Sequence, residues 1–403
     1  MSWIHAPVRV IGLLAAAAAV LPGPAGRGVA SCWQTVPGPA VPAGESGSMT
    51  GVSMAGPSAG WAVGFKLPGT PGANFKPLLA QWDGRRWRAT RLSAAAAGDG
   101  RLDGVAATSA SNAWAVGATQ EADHAFRLLI LHWNGRQWAQ VPAAPVLGYA
   151  SAELLGVAAA SPSDAWAVGE AENTANQLRT VTEHWNGRTW ALVPSPSVGT
   201  ASFLSAVAIT SNHQAWAAGG SRARTSRPFV LRWTGRAWRT AATPPASNVS
   251  LNSVAAGSPT HVWAVGEAAA SGRQVPYALH WNGHTWRSVP VPADPARDSR
   301  QLTSVTVLRG GYLAATGNTL GPATTGALHA RWNGHRWSVA AGPLNGASLN
   351  AITTGRHNLW AVGAKDQSAT RFVPLTQLCR SPSGLRPATL ERPPSLTALR
   401  EGP

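Results

Sequence analysis

The stretch Ala165-Trp166-Ala167-Val168-Gly169, followed by His184-Trp185-Asn186-Gly187-Arg188-Thr189-Trp190, is one copy of a pattern that recurs along the chain. The first half returns with its tryptophan at Trp61, Trp114, Trp166, Trp216, Trp263 and Trp360, and a degenerate copy stands at 312–317. The period is about fifty residues, which is typical of a solenoid or a propeller. The second half places a pair of tryptophans around Asn-Gly or a close variant.

Asn-Gly between two apolar stretches predicts a β-hairpin, with positive φ at both central residues of a type I′ turn. Each repeat then contains four short strands, which read Leu-x-small-Val-small, Ala-Trp-Ala-Val-Gly, Leu-x-His-Trp and Arg-x-Trp-x-x-Val-Pro. Four strands per repeat make one blade of a propeller. The sequence therefore predicts an all-β fold, a seven-bladed β-propeller of four-stranded blades.

The last repeat lacks its fourth strand, and a matching segment stands at the other end of the chain. Residues Cys32 to Pro39 fit the fourth-strand pattern, so we expect the amino-terminal strand to pair with Phe372 to Cys379 and close the last blade. Closure removes sheet edges that invite aggregation. Cys32 and Cys379 are the only cysteines and lie on these two strands, which predicts a disulfide between them.

This pattern resembles the repeats of kelch-type propellers, an architecture also found in the central domain of galactose oxidase. The resemblance rests on the apolar strand that ends in glycine and on the spacing within 184–190, and it spans roughly residues 32–380. It implies the architecture and not the oxidase chemistry. Tyr149, Tyr277 and Tyr312 lie far apart in the repeat map, so we expect no copper site, no other metal and no cofactor.

The amino terminus has the features of a secretory signal peptide, with an apolar run from Val10 to Leu21 and small residues before position 31. We expect residues 1–30 to be removed, residues 31–380 to form the propeller, and the Pro- and Arg-rich residues 381–403 to be disordered. The mature protein is then secreted and extracellular. Val29-Ala30-Ser31-Cys32 also fits a lipobox, so a lipid anchor on Cys32 is the alternative.

Composition bears on partners and on the role of the aromatic residues. The chain has 33 Lys+Arg against 17 Asp+Glu, a net charge of +16, but its cations are spread along the sequence. Spread charge does not predict specific nucleic-acid binding.

All 20 tryptophans except Trp3 of the signal peptide fall on second, third or fourth strands of the repeats, which indicates core packing between blades.

Two polar surfaces are candidate binding sites. A polar set is predicted at the start of the first strands, at one mouth of the channel: Thr50, Asp103, Ser205, Asn252, Thr303 and Asn350. Variable loops between second and third strands should lie nearby and carry Glu121, Glu170, Arg222 and Arg224. A basic rim is predicted on the hairpin turns of the opposite face: Arg85, Arg86, Arg136, Arg188, Arg236, His284, His335 and Arg336.

Two recurring positions have a structural interpretation. His132, His184 and His280 occupy the same third-strand position of different blades, so they should be too far apart to share a metal. Asp164 begins a second strand where other repeats have Asn112, Gln214, His261 and Asn358, and we expect this position to cap a turn.

We find no catalytic motif in the sequence, and we assign no catalytic residue. The leading hypothesis is a monomeric, secreted, non-catalytic binding or scaffold module for an extracellular protein or glycan. The alternative is a carbohydrate-active enzyme, a lyase or glycosidase, that uses Asp103 with loop acids. The basic rim suggests a further option, adhesion to an anionic cell-surface polymer, which salt would weaken.

Overall fold

The computed structural model describes residues 32–380 apart from 71, 91, 94–97, 211–212, 223–225, 294–297 and 322–324. The predicted signal peptide and carboxyl-terminal tail lie outside the described residues. The regular secondary structure of the described residues is β-strand, apart from a short 3₁₀ helix at Arg309–Gly311. The all-β prediction is confirmed.

The strands of the first half, in chain order, are β1 Trp33–Val36, β2 Ser46–Gly56, β3 Ala59–Leu67, β4 Lys76–Trp82, β5 Trp87–Ala89, β6 Gly100–Ser109, β7 Asn112–Gln120, β8 Phe126–Trp133, β9 Trp138–Gln140, β10 Ser151–Ser161, β11 Asp164–Glu172, β12 Leu178–Trp185, β13 Trp190–Leu192 and β14 Ala201–Ile209. Those of the second half are β15 Ala215–Arg222, β16 Ser226–Trp233, β17 Trp238–Thr240, β18 Val249–Ser258, β19 His261–Ala270, β20 Arg273–Trp281, β21 Trp286–Ser288, β22 Ser299–Val307, β23 Leu313–Leu320, β24 Thr325–Trp332, β25 Trp337–Asn345, β26 Ala347–Thr354, β27 Asn358–Ser368 and β28 Arg371–Arg380.

These strands form antiparallel sheets arranged as a β-propeller. Strands β2–β5, β6–β9, β18–β21 and β22–β25 each form a four-stranded sheet in chain order, and a fifth has the order β1-β28-β27-β26. Strands β10–β17 form one eight-stranded sheet, whose halves are joined by a single bridge between Leu178 and Ala201. We number the repeats one to seven by their second strands β3, β7, β11, β15, β19, β23 and β27.

The chain closes on itself as the sequence predicts. Strand β1 pairs with β28 in antiparallel register, with Trp33 opposite Cys379. Cys32 and Cys379 form a disulfide across a sequence separation of 347. Asn350 of repeat seven donates hydrogen bonds to Met49 O (2.8 Å) and Ser48 Oγ (3.1 Å) of repeat one, so side chains also join the last repeat to the first.

Indole rings fill six of the junctions between successive repeats. At each, the second-strand tryptophan of one repeat packs against the third- and fourth-strand tryptophans of the next. Trp114, for example, lies 4.8 Å from Trp185 and 5.1 Å from Trp190 between ring centroids. Trp61, Trp166, Trp216, Trp263 and Trp360 make equivalent contacts. The predicted packing role of the tryptophans is confirmed for these residues.

The disulfide takes the place of indoles at the junction between repeats six and seven. The position of the second-strand tryptophan is Ala314, which packs in one buried cluster with Cys379 and Cys32. Trp33 of the closing strand instead stacks on His329 of repeat six, with ring centroids 4.3 Å apart. A small residue at Ala314 leaves room for the disulfide, which explains why this copy of the repeat is degenerate.

A β-bulge in each first strand explains the glycine that ends the second-strand pattern. In repeat three the register shifts between Leu154 and Gly156, opposite Gly169. A Cβ on Gly169 would lie 1.9 Å from the carbonyl oxygen of Glu153, closer than any side chain permits. The same close approach recurs in the degenerate repeat, where a Cβ on Gly317 would lie 1.9 Å from Gln301 O.

The hairpin turns differ from the predicted type I′ geometry. In the 133–138 hairpin Trp133 pairs with Trp138, which leaves four residues in the loop, and φ is positive at Gly135 but not at Asn134. Asn134 Oδ1 instead accepts hydrogen bonds from the backbone N–H groups of Arg136 (3.0 Å) and Gln137 (3.1 Å). The asparagine therefore stabilises the turn through its side chain, so it need not adopt positive φ.

Candidate functional site

The predicted polar set lies inside the first strands rather than at their starts. Thr50 follows the first residue of its strand, Ser46, by four positions, and Asp103 follows Gly100 by three. Each member is the extra residue of a bulge, and the register shifts flank Thr50, Asp103, Ser205, Asn252, Thr303 and Asn350. Leu155 occupies this position in repeat three.

Four members of the set join neighbouring repeats by hydrogen bonds, and we call these contacts the bulge clasps. Thr50 Oγ1 donates to Leu102 O (2.6 Å), and Thr303 Oγ1 donates to Leu349 O (2.7 Å). Asn252 Nδ2 donates to Leu302 O (2.8 Å), and Asn350 makes the contact with Met49 described above. Every acceptor is the carbonyl group just before the bulge of the next repeat, so these side chains hold the ring together.

Asp103 belongs to a buried charge cluster instead of a clasp. Its carboxylate lies 3.2 Å from Arg101 Nε, and Arg101 also pairs with Glu153 of repeat three. The side chains of Arg101, Asp103 and Glu153 are 1%, 8% and 7% exposed. The Arg101 guanidinium lies 4.9 Å from the centroid of the Phe126 ring.

Burial governs the titration of this cluster. The pKa of the Asp103 carboxyl is raised to about 6, chiefly by burial, with Arg101 opposing the rise and the nearby Glu153 carboxylate adding to it. Burial alone would lower the pKa of Arg101, but Asp103 and Glu153 raise it above its ordinary value. Asp103 is therefore an ion-paired residue between two repeats and not an acid open to solvent.

The predicted loop residues fall in different places. Glu170 is buried within strand β11, opposite Glu153 in the register, so its assignment to a loop is wrong. Its alternation with the apolar residues of β11 places it on the covered face of the strand. Glu121 is exposed just after β7, Arg222 ends β15, and Arg224 lies outside the described residues.

The expected turn cap at Asp164 is also wrong. Asp164 Oδ1 lies 2.9 Å from His184 Nε2, and Asp164 Oδ2 lies 2.8 Å from His213 Nδ1 of the next repeat. The turn before it is stabilised by Ser161, whose Oγ accepts the backbone N–H of Ser163 (3.1 Å). The carboxylate of Asp164 therefore bonds to two imidazole rings and not to the backbone of the turn.

The third-strand histidines stack on tryptophans of their own sheets, as a structural role requires. The ring centroids of His132 and Trp114 are 4.3 Å apart, and those of His280 and Trp263 are also 4.3 Å apart. Burial lowers the pKa of His132, and it lowers that of His280 to about 4, with nearby His261 adding to the effect. Among the described residues, no group of three or more His, Cys, Asp or Glu side chains is arranged to hold a metal ion.

The basic rim residues are exposed on the hairpin turns between third and fourth strands. This holds for Arg85, Arg86, Arg136, Arg188, Arg236, His284, His335 and Arg336. Side chains within the turns accept hydrogen bonds from the turn backbone, as where Asn186 Oδ1 accepts the N–H of Arg188 (2.9 Å). The guanidinium groups are thus presented to solvent, where an anionic polymer can reach them.

Sequence reasoning missed three charged residues that the fold buries, Arg101, Glu153 and Glu183. Arg101 and Glu153 lie on first strands, just before the bulges, and Glu183 lies on a third strand where most repeats have alanine or leucine. An alignment of the repeats against one another carries this signal. Arg101 and Glu153 occupy one first-strand position, where the other repeats have serine, phenylalanine or glutamine, and Glu183 is the one ionisable residue at its third-strand position.

Comparisons with known proteins bear on the architecture only. The chain is similar to a solved structure entitled "Structure of YjhT", with a TM-score of 0.43 and 9% sequence identity over 68% of this chain and 97% of that one. No family model and no curated protein matches the chain. Across the described residues we find no helix long and apolar enough to cross a membrane.

Proposed function

We propose that this chain is a secreted, non-catalytic binding or scaffold module whose ring of seven four-stranded blades presents loops to an extracellular protein or glycan. The observation that carries the proposal is that the polar residues at the bulges have a structural role. Their side chains form the hydrogen bonds that hold neighbouring repeats together, as described for Thr50, Asn252, Thr303 and Asn350. A rigid scaffold with recognition assigned to its loops is a common arrangement.

The blade count in this proposal treats the eight-stranded sheet as two blades. Strands β10–β13 and β14–β17 each repeat the four-strand order of the other sheets, and one bridge joins them. The regular repeats also support a kelch-like relationship. A crystal structure with seven separate four-stranded sheets is the expected result, and any other number contradicts the count.

Export is supported by the disulfide, because such bonds persist in oxidising compartments. The same bond counts against a lipid on Cys32, since its sulfur is bonded to Cys379. Mass spectrometry of the mature protein from its native host should show an unlipidated chain that begins near residue 31. A diacylglyceryl group on Cys32 would favour the lipid-anchored alternative.

We place the binding surface on the loops between second and third strands, beyond the bulge clasps. Replacing Glu121–Ala125 with a glycine-serine loop of equal length should abolish binding to a ligand found on glycan, cell-wall or protein arrays. The matched control is the turn Asn333–Arg336 on the opposite face, changed in the same way, which should leave binding intact. Loss of binding in the control alone would place the surface on the other face.

The exposed basic rim supports a second candidate, adhesion to an anionic polymer. Changing Arg85, Arg136, Arg188, Arg236 and Arg336 together to glutamine should then weaken binding to teichoic-acid-type or acidic polysaccharide chains, and raised salt should weaken wild-type binding. Changing exposed Arg239 and Arg287 to glutamine is the control for charge alone.

The enzyme alternative gains no support from Asp103, since its carboxylate is buried and ion-paired. Substrate turnover that Asp103→Asn abolishes would restore that alternative.

A further inference from the structure

One core position of the third strand carries an ionisable side chain in a single described repeat. The position faces an alanine of the second strand and is at most 1% exposed in every repeat: Ala80, Leu131, Glu183, Leu231, Leu279, Ala330 and Gln377. Glu183 is 0% exposed and stands directly opposite Leu192 of strand β13. It faces repeat two, because Trp185 and Trp190 on the same face pack against Trp114.

The junction between repeats one and two shows one way in which this position is sealed. Leu131 packs in one cluster with Leu92, which belongs to the segment that leaves repeat one. That segment runs parallel to the outer strand β9, with Leu92 bridged to Trp138 and Ser93 N donating to Trp138 O (3.1 Å). An extended piece of chain therefore covers the edge of the sheet and the junction beneath it.

The corresponding segment of repeat two packs against the junction, but among the described residues it forms no bridge to strand β13. Ala143 and Ala144 follow Trp138 at the same distances as Leu92 and Ser93 follow Trp87. The backbone N–H of Ala144 donates to Glu183 Oε1 (3.2 Å), so this donor is directed to the glutamate. Between Val141–Pro145 on one side and Arg188–Leu192 on the other lies a groove of about 640 Å³.

The groove exposes an edge of backbone and an apolar wall. Val193 N donates inward to Thr182 O, so the alternation of an antiparallel ladder directs the backbone groups of Trp190 and Leu192 outward. In strand β9 the carbonyl group equivalent to that of Trp190 belongs to Trp138, and this group accepts the hydrogen bond from Ser93 N. Leu192 is 41% exposed although it is a large apolar residue, and the two prolines at 142 and 145 line the facing wall.

A charge lies beneath this apolar surface. Glu183 Oε2 is buried and has no hydrogen-bond partner. A buried carboxylate oxygen without a donor is costly, and a cationic donor supplied by a ligand to Oε2 would relieve that cost. In the sealed junction Leu92 packs against the apolar cluster that contains Leu131. A ligand side chain that takes the place of Leu92 beside Glu183 should correspondingly be basic.

We propose that the groove between repeats two and three binds an extended peptide segment of a partner protein, which pairs with the outer edge of β13 and places a lysine side chain against Glu183. This mode, in which a peptide adds a strand to a sheet edge, takes its affinity from main-chain hydrogen bonds and its specificity from side-chain pockets. The site is separate from the loop surface proposed above, so either can fail without the other.

Two synthetic peptides test the proposal with the full-length mature protein. The first, acetyl-Ala-Thr-Val-Lys-Ser-Ala-amide, is patterned on residues 89–94 with valine in place of Arg91 and lysine in place of Leu92, and the second keeps the valine and has leucine at the lysine position. Titration calorimetry should show binding of the lysine peptide and at least about tenfold weaker binding of the leucine peptide. Methylating the serine backbone nitrogen, which stands where Ser93 N meets Trp138 O, should cost about tenfold as well.

Glu183→Leu and Glu183→Gln should each weaken binding of the lysine peptide by about tenfold or more. Arg287→Ala, on strand β21 of repeat five and outside the groove, controls for general loss of surface charge and should not weaken it. The proposal is overturned if wild-type protein does not bind the lysine peptide, if it binds both peptides equally, or if the methylated peptide binds unchanged. These peptide-side results decide the matter even if a variant fails to fold.

Discussion

The junction between repeats one and two and the junction between repeats two and three have the same strand order, and they differ at the buried third-strand position and in the segment that leaves the earlier repeat. The first joins Leu131 to Leu92 and is sealed by a bridge from Leu92 to Trp138. The second has Glu183 and Ala143 at these positions and has a groove. In the second junction the buried glutamate accepts a backbone N–H group of the neighbouring segment, and a groove lies beside the outer strand.

The largest effect should come from giving the sealed junction the glutamate of the open one. Leu131→Glu removes a fully buried leucine and places a carboxylate where no donor replaces water, so unfolding free energy should fall by about 3–5 kcal/mol. Chemical denaturation followed by tryptophan fluorescence measures this. Leu131→Met is the volume-matched control and should cost less than about 1.5 kcal/mol. Equal unfolding free energies of the glutamate variant and wild type would show that a charge at this position does not weaken the packing of the junction.

The reverse change should stabilise the open junction and remove a pH dependence. Burial raises the pKa of the Glu183 carboxyl from its ordinary 4.5 to about 7, although the hydrogen bond from Ala144 N lowers it in part. The folded state holds this proton more tightly than the unfolded state, so the contribution is present below pH 4.5 and is lost as pH rises through 7.

Glu183→Leu should therefore gain roughly 1–3 kcal/mol over wild type at pH 8 and show less decline between pH 4.5 and 8. Asp103, whose carboxyl pKa burial also raises to about 6, is present in both proteins, so the difference between them isolates Glu183. Unfolding free energy measured at several pH values provides the test. Parallel pH profiles for variant and wild type would mean that Glu183 is not destabilised by burial.

A smaller effect is expected from loosening the seal of the first junction. Leu92→Ala removes a half-buried side chain that packs against the core cluster, so unfolding free energy should fall by about 1–2 kcal/mol. Leu147→Ala, at a leucine that is 83% exposed, is the matched control and should change stability by less than about 0.5 kcal/mol. A cost for Leu147→Ala that equals the cost for Leu92→Ala would contradict the packing role of Leu92.

The smallest effect on stability concerns the rim of the groove. Arg188 is exposed on its hairpin turn, and Asn186 organises the turn through the backbone. Arg188→Ala should therefore shift unfolding free energy by no more than about 0.5 kcal/mol. Thermal unfolding followed by circular dichroism is sufficient to detect a larger change, which would show that this arginine supports the open junction.

Repetition made much of this fold predictable from sequence. The fifty-residue period, the unpaired fourth-strand segment at Cys32–Pro39 and two cysteines on matching strands predicted the propeller, its closure and its disulfide, all of which the structure contains. The site was less predictable. Asp103 and its counterparts were expected at the starts of the first strands, and they lie inside those strands at bulges, where most of them clasp the next repeat. Strict alternation alone does not predict a bulge, because the extra residue interrupts that alternation.

The sequence by itself determined the architecture, because each repeat independently specifies four strands and the indoles that fill its junctions. The three-dimensional arrangement decided which polar side chains remain available. Ala144 and Glu183 are 39 positions apart in the chain and meet only because neighbouring repeats pack side by side. Hydrogen bonds and desolvation act over a few ångströms in space, and a linear pattern does not record those distances.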